Sequence, residues 1–230
     1  MNPYSVSVII PLYNNEKYIG EAIESVLTQV KKHMEIIVVN DGSTDKSSEV
    51  AEKFIPHIKL MHQENKGAAA ARNLGIRQSH GYFLAFSDAD DIWMPDHQKL
   101  LLAAFEKKPD LDMALGGVKQ FISPELPIEK GNILMEELKI MPGYHPGAML
   151  VKKLSFMKVG LLNENLHLAE FVDWFSKARD MELQSIMLDD IVYKRRIHTS
   201  NQGILKRDHL KDYTSVLREA LARKRKMKRD

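Results

Sequence analysis

Short apolar runs separated by longer amphipathic stretches set the rhythm of this chain. Val6 to Pro11, Ile36 to Asn40, Ile58 to His62 and Tyr82 to Ser87 are each bounded by turn residues or proline, the pattern of strands buried on both faces of a parallel sheet. Helical spacing fills the gaps between them. Glu16 to Thr28 places Ile19, Ile23, Val26 and Leu27 on one face, Thr44 or Asp45 is suited to cap a helix through Phe54, and Gly67 to Gln78 is Ala-rich with Leu74 and Ile76 on its inner side. Strand alternating with helix predicts a doubly wound, mostly parallel α/β sheet with right-handed crossovers.

The second half is less regular. Pro95 to Lys107 and Glu170 to Asp180 read as helices, and Leu111 to Phe121, Ala148 to Lys152 and Ile186 to Arg196 as strands. Ser123 to Met141 contains Pro and Gly and reads as a loop or lid. Leu205 to Lys228 predicts an amphipathic helix with Leu210, Tyr213, Leu217 and Leu221 on one stripe.

Bulk properties narrow the field only slightly. The 230 residues suffice for one packed core, and the net charge of +2 points to no class of partner. Absence of cysteine excludes disulfides, Cys-bound zinc and a Cys nucleophile. No segment approaches the roughly 20 apolar residues of a membrane-spanning helix, and the start of the chain lacks the marks of a signal peptide. The expectation is a cytoplasmic protein, associated at most with the inner face of a membrane. Arg223 to Arg229 is nearly all basic. It reads as a solvated helix end or as a contact with anionic lipids; nucleic acid is not expected, because no aromatic residues interleave the bases.

Chemistry concentrates at the expected carboxyl ends of the strands, where ligands bind in such sheets. Asn40-Asp41-Gly42-Ser43-Thr44-Asp45 puts a carboxylate at a tight turn, suited to a base N–H or a sugar hydroxyl; a plain turn with a helix cap reads the same residues otherwise. Asn65-Lys66-Gly67 leads into four alanines and Arg72, a guanidinium suited to a base carbonyl or phosphate, or an Ala-packed helix with a surface Arg. Asp88-Ala89-Asp90-Asp91 ends an apolar strand with three carboxylates in four residues. A divalent cation, Mn²⁺ or Mg²⁺, relieves their repulsion, although an acidic turn before the helix at Pro95 has the same letters.

These segments, with Val8-Ile9-Ile10-Pro11-Leu12-Tyr13-Asn14 before them, resemble the family 2 glycosyltransferases of GT-A fold in order and spacing. The resemblance is close from Val6 to about Asp96. It implies a domain over residues 1–205, with a nucleotide-sugar half (about 1–96) and an acceptor half (about 97–205), followed by a helix and basic tail at 206–230. It implies that Pro11, Tyr13, Asp41, Lys66, Arg72 and Asp88 bind a nucleotide-sugar, most simply a UDP-sugar. Arg195 (or Arg196) would neutralise the diphosphate, Asp90 and His198 would hold the metal, and Asp91 would assist. Relatives carry a Glu-Asp pair before an aromatic residue and another Asp; here Ala169-Glu170-Phe171-Val172-Asp173 has Phe171 in place of the second acid. Glu170 becomes the candidate base for an inverting transfer, with Asp173, three residues on, in reserve.

His145 reads as lying on the acceptor side, suited to hydrogen-bond a sugar, and Trp93 as stacking on a sugar face or filling core. The acceptor (glycan, lipid, peptide or small molecule) is not legible. Two other readings stay open: a non-catalytic nucleotide-sugar-binding protein, which Phe171 favours, and a sugar nucleotidyltransferase. The second is weakened by Pro11-Leu12-Tyr13-Asn14, which lacks the Gly-rich loop that a triphosphate needs.

Overall fold

A computed structural model describes residues 5–29, 33–125, 140–199, 201 and 210–227. Strand β1 (Val6–Leu12) lies between β2 (Met34–Asp41) and β4 (Phe83–Phe86), and β3 (Lys59–Gln63) extends the edge beyond β2, all in parallel. Helices α1 (Ile19–Leu27), α2 (Ser47–Glu52) and α3 (Ala68–Gln78) supply the crossovers. Ile10 and Val38 face one layer of helices and Ile9 and Leu84 the other, so each strand buries both faces.

Beyond β4 the sheet becomes mixed. The order is β3-β2-β1-β4-β8-β6-β9-β5, with β7 beside β6. Strand β8 (Met149–Lys152) is antiparallel to both β4 and β6 (Met113–Ile122), while β9 (Ser185–Ile197) is parallel to β6. The two-residue strands β5 (Ile92–Trp93) and β7 (Ile140–Met141) pair antiparallel with β9 and β6. Helices α4 (His97–Lys107), α5 (Lys153–Val159) and α6 (Glu170–Asp180) cover this half. The predicted α/β sheet is therefore present, mostly parallel and flanked by helices. Sequence pattern had not separated out β5, β7 or α5.

Helix α7 (Lys211–Met227) forms within the predicted C-terminal stretch; residues 205–209 and 228–230 of that stretch and its basic tail lie outside the described residues, as does 126–139 of the expected loop or lid. Its stripe is not buried: Leu210, Tyr213, Leu217 and Leu221 are all exposed, while Asp212 and Val216 pack inward. Among the described residues no helix is long and apolar enough to cross a membrane.

Candidate active site

The loops after β1 and β2 are laced together. Asn14 donates its backbone N–H to Ser43 Oγ (3.1 Å) and accepts Thr44 N–H on Oδ1 (2.8 Å), while Asn15 N–H reaches Ser47 Oγ (2.8 Å). Neither Thr44 nor Asp45 is the N-cap of α2, which is Lys46 without a side-chain cap bond; Asp45 stands one residue earlier, where its Oδ1 accepts Ser47 N–H at 2.9 Å. Gly42 turns this corner at φ 72°, and a Cβ there would stand 2.9 Å from Asn65 N, so only glycine lets the β2 and β3 loops close up. The approach serves Asp41, which is buried. Its Oδ1 accepts Gln63 Nε2 (2.7 Å) and Lys66 N–H (2.8 Å), and its Oδ2 accepts Gly67 N–H (2.8 Å). A carboxylate offers about four lone-pair directions, so Oδ2 keeps one for a ligand. Lys66 contributes its backbone to this arrangement, and its side chain is exposed.

A cavity of about 460 Å³ opens at these strand ends. Pro11, Tyr13, Asp41, Arg72, Asp88, Asp90, His145, Glu170 and Arg195 are among the residues that line it. Its centre is Arg72, carried by α3 and 5% exposed. Nη2 donates to Asp88 Oδ1 at 2.6 Å and Nη1 to Glu170 Oε1 at 2.8 Å. Burial works against the guanidinium's charge, and the two carboxylates more than restore it. Burial likewise opposes the charge on Asp88, but Arg72, with His145 and Arg195 near, holds its carboxyl below the usual range. Tyr193 Oη accepts Asp88 N–H at 3.0 Å. Gly147 has no room for a Cβ, which would fall 2.2 Å from that tyrosine ring.

The other two acids are held differently. Asp91 is buried, and although Oδ1 accepts Arg196 N–H at 2.7 Å, burial followed by the charges of Asp90 and Asp88 raises its carboxyl well above the ordinary value. Asp90 Oδ2 meets His198 Nε2 at 2.9 Å and Asn201 Nδ2 at 3.4 Å. Atoms able to ligate one cation come within 4.8 Å of each other on Asp88, Asp91 and His145. His145 is pushed down to about 4 by burial first, with Arg195 and Arg72 adding, and is neutral near pH 7. Its Nδ1 accepts Gly147 N–H (3.1 Å), which leaves the proton on Nε2, facing Asp88 Oδ2 at 3.5 Å.

Several expectations need correction. Asp173 does not share the cavity with Glu170: its Oδ2 takes Lys177 Nζ at 2.6 Å and its Oδ1 is buried without a partner. Residues three apart on a helix differ by about 60° around its axis, enough to send one carboxylate to the cavity and the other to the helix's own lysine. Trp93 is core, not a sugar platform; its indole donates to Phe86 O (3.0 Å) and stacks on His97 at 3.8 Å. Arg196 is clamped between the Tyr18 and Phe121 rings and bonded to Asp90 O, so of the two arginines Arg195 alone lines the cavity. Phe171, which stands where an acid was expected, packs on Trp174 and Phe175. Tyr193, Asn201 and Tyr213 had no assigned role. The first two fall inside or just beyond a segment already singled out, whereas nothing local in the sequence brings Tyr213 of α7 to the cavity.

A family model, Glycosyl transferase family 2, matches residues 7–166. An uncharacterized glycosyltransferase of Rickettsia typhi is 30% identical over 94% of this chain and 71% of its own length. One from Rickettsia felis is 34% identical over 92% of this chain but only 37% of its own length. The crystal structure of S. aureus TarS 1-349 in complex with UDP superposes with a TM-score of 0.71 at 25% identity, covering 95% of this chain and 65% of that one. The chain thus spans under two thirds of the last two. With more than half its length inside the family model, and with the motif-bearing strand ends gathered around one cavity, this chain belongs to glycosyl transferase family 2 and is a glycosyltransferase of GT-A fold.

Proposed function

We propose that the enzyme moves a sugar from a nucleotide diphosphate sugar, a UDP-sugar, onto an acceptor hydroxyl with inversion at the anomeric carbon. The observation that carries this reading is the double ion pair of Arg72, which sets the strand-end acid Asp88 and the helix-start acid Glu170 into one cavity. The half at about residues 1–96 receives the donor: Asp41 Oδ2 meets a base N–H, and Pro11 and Tyr13 frame the base. Asp88 faces the ribose. Arg195 lines the cavity and has no ion-pair partner among the described residues, so its charge is available to the diphosphate. Support for uridine comes from the likeness to TarS, whose complex holds UDP.

A divalent cation suits the donor set, because burial and then the charges of Asp90 and Asp88 work against the Asp91 carboxylate, and a nearby positive charge relieves that. Asp88, Asp90 and Asp91 are its candidate ligands. His145 and His198 already face Asp88 and Asp90 through Nε2, and either would join as a ligand once that nitrogen gives up its proton. Bound there, Mn²⁺ or Mg²⁺ would neutralise the leaving diphosphate.

Glu170 performs the proton transfer. Arg72 fixes Oε1, leaving Oε2 to accept the proton of the acceptor hydroxyl as that oxygen bonds to the anomeric carbon. The bond from that carbon to the diphosphate oxygen breaks on the opposite face, and the electron pair leaves with UDP. General-base catalysis contributes about 10²- to 10⁴-fold. Glu170→Gln is therefore expected to lower kcat by that factor in a transfer assay that measures released UDP, while UDP still binds. Undiminished turnover in that variant would remove Glu170 from the role.

A further inference from the structure

The stripe that α7 leaves exposed is unusual for a surface helix. Leu217 and Leu221 are 59% and 56% exposed, and Leu210 and Tyr213 continue the line towards the start of the helix. The opposite edge is what fixes the helix: Val216 is buried, and Asp212 accepts the backbone N–H groups of His167 (2.9 Å) and Leu168 (3.0 Å). Arg223 also donates to Asp180 Oδ2 (2.7 Å) and Ser176 Oγ (2.7 Å). With the helix attached along that edge, the leucines are held outward. A groove of about 270 Å³ runs beside them, between α6 and α7, with Val172, Phe175, Leu217 and Leu221 on its walls and Arg179 and Lys224 also lining it.

Charge says what covers this face. Helix α7 holds six basic and two acidic residues, and Asp212 is turned inward. Lys211, Arg218 and Arg225 recur every seventh residue and so share one flank of the apolar stripe. An apolar stripe edged by bases along a helix is the composition of helices that lie in the plane of a lipid interface. A second copy of this chain packed antiparallel on the stripe would instead bring the same positive flank against itself.

We infer that α7 docks this enzyme on an anionic lipid surface, with Leu210, Tyr213, Leu217 and Leu221 entering the headgroup boundary and Lys211, Arg218 and Arg225 meeting lipid phosphates. Tyr213 and Val172 also line the catalytic cavity, so docking on this face brings the cavity mouth to the lipid. The inference does not depend on which residue is the base.

Co-sedimentation of the full chain with vesicles tests it. Vesicles mixing phosphatidylglycerol with phosphatidylcholine should bind the protein, phosphatidylcholine alone should not, and added salt should weaken the binding. Leu217→Glu/Leu221→Glu should bind about tenfold more weakly or worse. Since both side chains are exposed, its thermal midpoint should match that of the parent. Arg218→Glu/Arg225→Glu, likewise on the exposed side, should weaken binding to the anionic vesicles and reduce its salt dependence. Failure of the parent protein to bind the anionic vesicles, or undiminished binding by the leucine variant, overturns the inference. So does sedimentation of the parent as a dimer that ignores vesicles and that the leucine substitutions render monomeric, an outcome that assigns the face to a second copy.

Discussion

A guanidinium buried at a sheet edge survives only if anions follow it inside, and Arg72 has two. Removing one partner of a buried pair leaves the other charge stranded, so loss of Arg72 would strand both acids, whereas loss of Glu170 leaves Arg72 its bond to Asp88. At this scale the sequence was most informative for acids at strand ends. Asp41 and Asp88 lie where an apolar run stops, because a carboxylate tolerated there needs a partner in the cavity. It was least informative for side chains whose direction depends on a competitor. Asp173 was drawn away by Lys177, and Trp93 by Phe86 O and the ring of His97.

His97 gives a prediction of its own. Its Nδ1 donates to Val192 O at 2.9 Å, its Nε2 is buried without a partner, and burial lowers its value from 6.5 to about 3, against a smaller pull from the Val192 carbonyl. The unfolded chain therefore takes up a proton near pH 6.5 that the folded protein refuses until about pH 3. This residue stabilises above that window and loses stability as pH falls through it. Urea unfolding of His97→Asn, whose amide can keep the Val192 bond, should show a shallower fall in stability between pH 7 and pH 4 than the parent. Parallel slopes would mean that His97 titrates normally.

Among the elements, α3 and α6 do most to build the site. Helix α3 sits tightly on β1: a Cβ on Gly75 would lie 2.6 Å from Ile9 Cγ2. From that seat it sends Arg72 to both acids, and Asn73 to Leu162 O (2.9 Å) and Leu162 N–H (3.0 Å). Helix α6 begins under strain, since its N-cap, Ala169, is left-handed at φ 64° immediately before Glu170. That conformation costs a non-glycine residue about 1–2 kcal/mol, and glycine gives back about 0.5–1 kcal/mol in unfolded-chain entropy. Ala169→Gly should thus raise unfolding free energy by about 0.5–1 kcal/mol, measured in urea; a decrease would mean that the methyl packs more favourably than the backbone is strained. Elements with a full period were readable at this scale, α6 to the residue and most strands to within two. The strands β5 and β7 have two residues each and exist only because β9 and β6 offer them an edge, which no local pattern encodes.

For the whole molecule, the order β3-β2-β1-β4 followed by antiparallel β8 makes one sheet of two unlike halves. The first was readable because parallel strands bury both faces. The insertion of β8 between β4 and β6 is a pairing of distant segments and left no local trace. On the proposed reading a donor spans this junction, from Asp41 on β2 to Arg195 on β9, so it binds only when both halves are in place. A ligand held solely by the native state at 100 times its Kd stabilises by about 2.7 kcal/mol. For a chain of this size that is a rise in Tm of about 5–10 °C. UDP with Mn²⁺ should give a shift of this order in a thermal melt, and uridine a smaller one, because it lacks the diphosphate. Arg195→Ala should then erode the UDP shift and leave the uridine shift as it was, since its guanidinium meets only the phosphates. Asp41→Asn should do the reverse in kind, reducing both, because the base is common to the two ligands. Equal UDP shifts in the Arg195→Ala variant and the parent would place the diphosphate elsewhere in the cavity and leave the junction between the halves without its bridging ligand.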